Sequence, residues 1–400
     1  MLNLTKKINI PASKSISNRL LVLQYLYPQI QIENLSTAQD TVHLKNALES
    51  LAFPQSSPTE INIGHAGTAM RFLTALLSRE KAKSFVLDGS ERMRQRPIGI
   101  LVKALQELGA DISYQKKHGY PPLLINGKKL TKNKIQIPAH ISSQYITALM
   151  LIAPRLPHGL QIVLSGKQVS TPYVSMTARL MRQAGIPVNF KGNIIDIAPV
   201  KNLPAQQFHV EGDWSSASYF YGRMLATDEK ELILSPFLRN SLQGDAQIAE
   251  YFSKLGIETI FIPEKQQIIL RKIPGFQLPA TIAFDLLHTP DLAQTLAVTC
   301  LVLGIRCQLT GLETLKIKET DRLQALQTEM QKLGAGVHIT NHSLEIFKPE
   351  IHINNPVEIA TYNDHRMAMS FAILQKKFPM ISIADKNVVI KSFPDFWNFF

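Results

Sequence analysis

Cysteine is scarce, with two residues in 400. Cys300 and Cys307 lie in or beside the apolar run Leu296 to Ile305, so both read as reduced core residues and point to a reducing cytoplasm. Long apolar runs are missing. None approaches the roughly 20 residues needed to span a bilayer, and Leu2 to Ile10 lacks the long apolar stretch of a secretory signal. Aromatic residues make up 8% of the chain, and no segment interleaves them with cations as a platform for single-stranded nucleic acid does. Acidic residues are outnumbered, 31 against 43 Lys and Arg, for a net charge of +12. Yet the cations form no long run; the densest group is Arg92, Arg94 and Arg96. Cations scattered through turn motifs fit an anionic metabolite better than a polynucleotide or a membrane. The Gly-x-x-x-x-Gly-Lys-Ser/Thr loop of nucleotide-binding proteins is absent, and Gly64-His-Ala-Gly67 lacks the third glycine and the ribose-binding acid of a dinucleotide fingerprint. Asp285, His288 and Asp291 come nearest to a metal-ligand set, but the spacing is weak and a metal-free role is the better reading.

What is present is a soluble composition, 45% apolar with mean hydropathy near zero, in a chain long enough for two domains with sizeable cores. Two series of motifs run along it. In one, a helical pattern ends at a glycine and a strand follows: Gly109, Gly185, Gly256 and Gly334, at intervals of 76, 71 and 78 residues. In the other, a polar turn leads into an apolar helix. Its members are Ser13-Lys-Ser before Leu20, Gly67-Thr-Ala-Met-Arg before Phe72, Ser142-Ser-Gln before Ile146, Asp213-Trp-Ser-Ser before Ala217, Pro290-Asp before Leu292 and Asn363-Asp-His-Arg before Met367. Gly67, Ser142, Ser215, Asp291 and Asp364 follow one another at 75, 73, 76 and 73 residues. Helices apolar all round are buried, and amphipathic ones lie outside. The pattern predicts six repeated α/β units, three to a domain with a boundary near His209 to Gly212, whose buried helices direct their N-termini, with partial positive charge, toward one cleft.

Within that frame, Pro11 to Arg19 reads as a turn offering three hydroxyls, Lys14 and Arg19 to an anion, most simply a phosphate. Arg92, Arg94 and Arg96 alternate ahead of Pro97, and an extended backbone would put all three on one face as a clamp for carboxylate or phosphate. Lys318-Glu-Thr-Asp-Arg322 precedes an amphipathic helix. Thr320 as its cap is a sufficient structural account, and Glu319 between two cations equally suits a proton donor or acceptor. His365 stands at a buried helix start with Asp364 and Arg366 on either side.

Taken together, Ser13-Lys-Ser-Ile-Ser-Asn-Arg19, Ala66-Gly-Thr-Ala-Met-Arg71, Arg92-Met-x-x-Arg-Pro97, Ser142-Ser-Gln144, Glu211-Gly-Asp213, Lys318-Glu-Thr-Asp-Arg322, Asn363-Asp-His-Arg-Met-Ala-Met369 and Lys391-Ser-Phe-Pro-Asp395 resemble the motifs of the 5-enolpyruvylshikimate-3-phosphate synthase family, in its order and over nearly the whole chain. The resemblance implies a two-domain inside-out α/β barrel of six βαβαββ-type units, with 1–12 plus 211–400 as a discontinuous domain I and 13–210 as domain II. It implies transfer of the enolpyruvyl group of phosphoenolpyruvate to the 5-hydroxyl of shikimate 3-phosphate, releasing phosphate through a tetrahedral intermediate, in chorismate and aromatic amino-acid biosynthesis. By motif, Lys14, Ser15, Arg19, Ser142, Ser143, Gln144, Ser170, Asp285 and Lys318 would hold shikimate 3-phosphate. Lys14, Gly67, Arg96, Gln144, Arg322, Arg366 and Lys391 would hold phosphoenolpyruvate. Asp285 would take the 5-hydroxyl proton, and Glu319 would relay a proton at the methylene carbon, a role shared with Lys14 or His365. The resemblance implies neither metal nor cofactor, and a cytoplasmic monomer. Departures from the family pattern are His65, Phe72, Thr171 and Thr314.

Two rival readings make different demands. UDP-N-acetylglucosamine enolpyruvyl transferase uses a reactive cysteine in an arginine-rich loop, and Asp88 to Pro97 contains none. A basic nucleic-acid-binding protein would show clustered surface charge and steep salt dependence without turnover.

Overall fold

A computed structural model describes residues 6–52, 57–138, 142–166 and 171–400. The chain divides into two compact units, one of Lys14–Val210 and one of Met1–Ser13 with Glu211–Phe400.

Among the described residues the continuous unit carries seven helices: α1 (Lys14–Leu26), α2 (Gln39–Ser50), α3 (Gly67–Leu77), the single turn α4 (Glu91–Arg94), α5 (Gly99–Glu107), α6 (Ser143–Ile152) and α7 (Thr171–Gln183). Helices α1, α3 and α6 are the apolar ones, and their side chains are buried on nearly every side. Two four-stranded sheets cover them. In the first, Thr59–Asn62 pairs in parallel with Ser84–Asp88, followed by antiparallel Leu123–Asn126 and Asp111–Tyr114. The second repeats that order with Lys134–Pro138, Leu160–Ser165, Ile194–Ile197 and Val188–Lys191. Ile30–Glu33 and Gln206–His209 form a separate parallel pair.

The discontinuous unit repeats the scheme with α8 (Trp214–Ala226), α9 (Ile248–Ser253), α10 (Ala293–Leu303), α11 (Arg322–Lys332) and α12 (His365–Gln375). Every residue from Ala293 to Val302 is buried, and so is every residue from His365 to Leu374. Fully burying one such Leu or Ile side chain is worth about 1.5–3 kcal/mol, so helices apolar all round can only sit between layers. Lys7–Asn9 joins Glu231–Ser235, Gln267–Lys272 and Ile257–Ile262 in one sheet. Thr281–Asp285, Arg306–Thr310, Leu344–Lys348 and Gly336–Ile339 make the next, and Val357–Ile359 pairs with Ile381–Ile383.

The expected repeat is thus complete in four places and shortened in two, where a parallel pair stands in for the four-stranded sheet. The four helix-ending glycines, Gly109, Gly185, Gly256 and Gly334, all adopt positive φ between 87° and 108°, the conformation that side chains disfavour. No helix among the described residues is long and apolar enough to cross a membrane.

Candidate active site

In the continuous unit, functional groups gather at the starts of the buried helices. Helix α1 begins at Lys14, earlier than the sequence reading placed it, so Ser15, Ser17 and Arg19 stand on the helix and not in a turn before it. That changes their roles. Ser17 is buried and its Oγ accepts the Ser36 N–H at 3.0 Å. Arg19 is buried and donates from Nε to Thr177 Oγ1 (2.8 Å), from Nη1 to the Ser15 carbonyl (2.7 Å) and from Nη2 to the Tyr173 carbonyl (3.3 Å). Burial lowers its pKa to about 10. Lys14 Nζ lies 3.1 Å from Asp40 Oδ2 on α2, a partner that the sequence reading missed.

At the start of α3, the site of a Cβ on Gly67 lies 2.6 Å from Arg96 Nη1, so the missing side chain is what lets the guanidinium lie against this helix start. Gln144 Nε2 donates to Thr68 Oγ1 at 3.2 Å, tying the start of α6 to that of α3. Ser142 caps α6, its Oγ accepting the Gln144 N–H at 3.4 Å, and Ser143 is buried beside it. Gly67, Arg96, Ser142, Ser143 and Gln144 are therefore brought together. Ser170 lies outside the described residues.

The three-arginine clamp does not form. Ser90 caps the helical turn α4, its Oγ accepting the Met93 N–H at 3.3 Å, and a helix does not place alternate residues on one face. Arg94 turns to Asp88, with Nη2 2.6 Å from Oδ2, and Arg92 Nη1 donates to Gln95 Oε1 at 3.1 Å. Arg96 is the member of the three that faces Gly67. The departure residue His65 meets Ser90 Oγ at 2.8 Å through Nδ1.

In the discontinuous unit the charged residues form one network. Arg322, 2% exposed, donates from Nε to Asp364 Oδ2 (2.6 Å), from Nη1 to Asp291 Oδ1 (2.9 Å) and from Nη2 to Glu319 Oε2 (2.9 Å). The other Glu319 oxygen accepts Lys391 Nζ at 2.8 Å. Asp291 is the hub: Lys318 Nζ is 3.5 Å from Oδ1, and Arg366 Nη2 is 3.2 Å from Oδ2. Burial by itself would raise the Asp291 carboxyl, but Arg366, Lys318 and Arg322 outweigh it and hold the pKa well below the usual carboxylate range. Asp291 thus serves the cations.

Local sequence explains how these groups are held. Asp364 caps α12, with Oδ1 accepting the Arg366 N–H at 2.8 Å. Asp321, one residue beyond the expected Thr320, caps α11 by accepting the Gln324 N–H at 3.1 Å. His365 is buried, with Nδ1 3.9 Å from Asp364 Oδ1. Asp285 ends its strand with an exposed side chain, and its Oδ1 accepts the Leu287 N–H at 3.0 Å. Gly311, at φ +74°, makes room there, since a Cβ would fall 2.3 Å from the Leu287 nitrogen. Arg366 Nη2 also reaches Ser215 Oγ at 3.3 Å, and Ser215 in turn bonds the buried Asp245. Burial, with Asp291 nearby, raises Asp245 to about 6. The reading from sequence named neither Ser215 nor Asp245 as a site residue.

Comparison with known proteins follows the same lines. A family model described as EPSP synthase (3-phosphoshikimate 1-carboxyvinyltransferase) matches residues 2–400. The 3-phosphoshikimate 1-carboxyvinyltransferase of Bacteroides fragilis strain YCH46 is 42% identical over 396 residues, covering 98% of this chain and 93% of that protein. The protein of the same name from Colwellia psychrerythraea is 35% identical over 425 residues, covering 99% and 97%. A solved structure of EPSP synthase from Acinetobacter baumannii superposes with a TM-score of 0.69 over 98% of this chain and 94% of that one; at 22% identity it bears on the fold.

Proposed function

The chain belongs to the EPSP synthase (3-phosphoshikimate 1-carboxyvinyltransferase) family, and on that premise we propose that it transfers the enolpyruvyl group of phosphoenolpyruvate to the 5-hydroxyl of shikimate 3-phosphate. The observation that carries this reading is the network of Lys318, Arg322, Arg366 and Lys391 around Asp291, Glu319 and Asp364. Four cations preorganised by carboxylates suit a small polyanion, because the donors are fixed before the ligand arrives.

In the proposed reaction, Lys14, Gly67, Arg96, Gln144, Arg322, Arg366 and Lys391 hold phosphoenolpyruvate. Lys14, Ser15, Arg19, Ser142, Ser143, Gln144, Ser170, Asp285 and Lys318 recognise shikimate 3-phosphate. Asp285 accepts the 5-hydroxyl proton as that oxygen bonds to C2 of phosphoenolpyruvate, while C3 gains a proton and becomes a methyl group. Glu319 is the proton relay we favour at C3, because Lys391 and Arg322 hold its carboxyl in place; His365 is enclosed beside Asp364. The tetrahedral adduct then loses a proton from C3 and its C2–O bond to phosphate, giving the enol ether and inorganic phosphate. Cations matched to the charge on the departing phosphate supply most of the rate. Two buried free cysteines fit a reducing, cytoplasmic setting.

The test is phosphate release by the purified protein. Release is expected from phosphoenolpyruvate with shikimate 3-phosphate present and not without it. Release with UDP-N-acetylglucosamine in place of shikimate 3-phosphate, or none with either acceptor from a folded protein, overturns the proposal.

A further inference from the structure

Tyr362 and Asn363, the two residues ahead of the cap Asp364, both have φ of +54°. Consecutive left-handed residues other than glycine are disfavoured and persist where surrounding contacts over-determine them. Here those contacts come from a group outside the cation network. Glu329, 0% exposed, sits seven residues beyond Arg322 on α11, about two turns along the same face. Its Oε1 accepts the Tyr362 hydroxyl at 2.5 Å, and its Oε2 accepts the Ala360 N–H at 3.1 Å and Lys332 Nζ at 2.7 Å. One face of α11 thus grips the segment 360–364 twice, through Glu329 at Ala360 and Tyr362 and through Arg322 at Asp364.

We propose that Glu329 and Tyr362 form a strap that positions Asp364, and through it Arg322 and Arg366. Both are positioning residues and neither touches substrate. The strap holds the left-handed turn closed, which keeps the Asp364 carboxylate between the Arg322 side chain and the Arg366 amide. Its catalytic consequence rests on the reading that Arg322 and Arg366 hold phosphoenolpyruvate.

The test variant is Tyr362→Phe, which keeps the ring and removes the hydroxyl that Glu329 holds. KM for phosphoenolpyruvate is expected to rise about three- to tenfold, the scale of one lost hydrogen bond to a charged acceptor, while KM for shikimate 3-phosphate stays put. Adding Asn363→Gly, a residue at ease at positive φ, is expected to recover most of that loss. Hydrogen exchange reads the strap without turnover: the Ala360 and Arg366 amides are expected to exchange faster in Tyr362→Phe and to slow again in the double variant. Unchanged exchange at both amides overturns the strap, and so does an unchanged KM for phosphoenolpyruvate in an active enzyme. Wild-type protein that releases no phosphate overturns the enolpyruvyl reading instead, and the exchange arm still decides the strap.

Discussion

Gly67→Ala is the sharpest single probe of the proposed phosphoenolpyruvate contacts. Gly67 is the first residue of α3 and its φ is not positive, so alanine meets no backbone strain there. The conflict is purely one of space. The added methyl would lie 2.6 Å from Arg96 Nη1 and 2.9 Å from both Cζ and Nη2. Ordinary contact is about 3.5 Å, so the guanidinium has to retreat by roughly 0.9 Å. A misplacement of about 1 Å in a positioning group costs up to about a hundredfold in rate, so kcat/KM for phosphoenolpyruvate is expected to fall about 10- to 100-fold. The clash is with the far end of a flexible side chain, so stability should change by less than about 1 kcal/mol. The assay is steady-state phosphate release with each substrate varied in turn, alongside a thermal melt. Arg96→Ala placed on top of Gly67→Ala should add little, because both changes remove the same contact. An unchanged KM for phosphoenolpyruvate in Gly67→Ala, or losses that simply add in the double variant, would refute the placement of Arg96.

Two further changes probe the carboxylates of Asp291 and Asp245. Asp291→Asn removes the charge that faces Lys318, Arg322 and Arg366; breaking such a buried set costs about 3 kcal/mol or more, and the melting temperature should drop by roughly 6–12 °C. A drop of under 2 °C would mean that the cations do not depend on Asp291. Asp245 tests pH dependence. Its carboxyl is raised from 3.8 to about 6 in the folded protein, so its contribution is fully present below pH 3.8 and is lost as pH rises through 6. The stability of the wild type relative to Asp245→Asn should therefore fall by about 2 kcal/mol between pH 4 and pH 7. Denaturant unfolding at the two pH values checks this, and a constant difference would show that the shift is absent.

The starts of the buried helices were legible because each is a local signal: a polar turn, then an apolar run, recurring at steps of 73–76 residues from Gly67 onward. The helix-ending glycines were legible for the same reason. Partnerships were not. Asp40 with Lys14, Asp245 with Ser215 and Glu329 with Tyr362 stand 26, 30 and 33 residues apart, and no periodicity links them. The parallel pairing of Ile30–Glu33 with Gln206–His209 joins short, half-exposed segments from opposite ends of a unit. The arginine turn is different. Its local signal was present, Ser90 ahead of Glu91 reading as a capped helix start, but the alternation of Arg92, Arg94 and Arg96 invited an extended reading. A cap that satisfies free N–H groups outweighs a pattern of charges, because charge alternation exerts no comparable hold on the backbone.

The pairing of Lys7–Asn9 with residues Ile233 to Ser235 of a far later strand has a consequence for how the chain folds. As synthesis proceeds, the Lys7–Asn9 strand emerges first and waits without its neighbour while the whole of Lys14–Val210 appears. Closing an unstructured loop of about 200 residues would cost on the order of 4–5 kcal/mol in chain entropy. A folded insert has already met that cost, since its own pairing of Glu33 with Val210 brings its last residue beside its N-terminal part. Ser13 then needs only to donate its N–H to the Glu211 carbonyl, at 2.8 Å, for the discontinuous unit to start closing. The order of assembly is therefore written into the connectivity: the insert folds first, and lesions that slow it delay completion of the discontinuous unit as well.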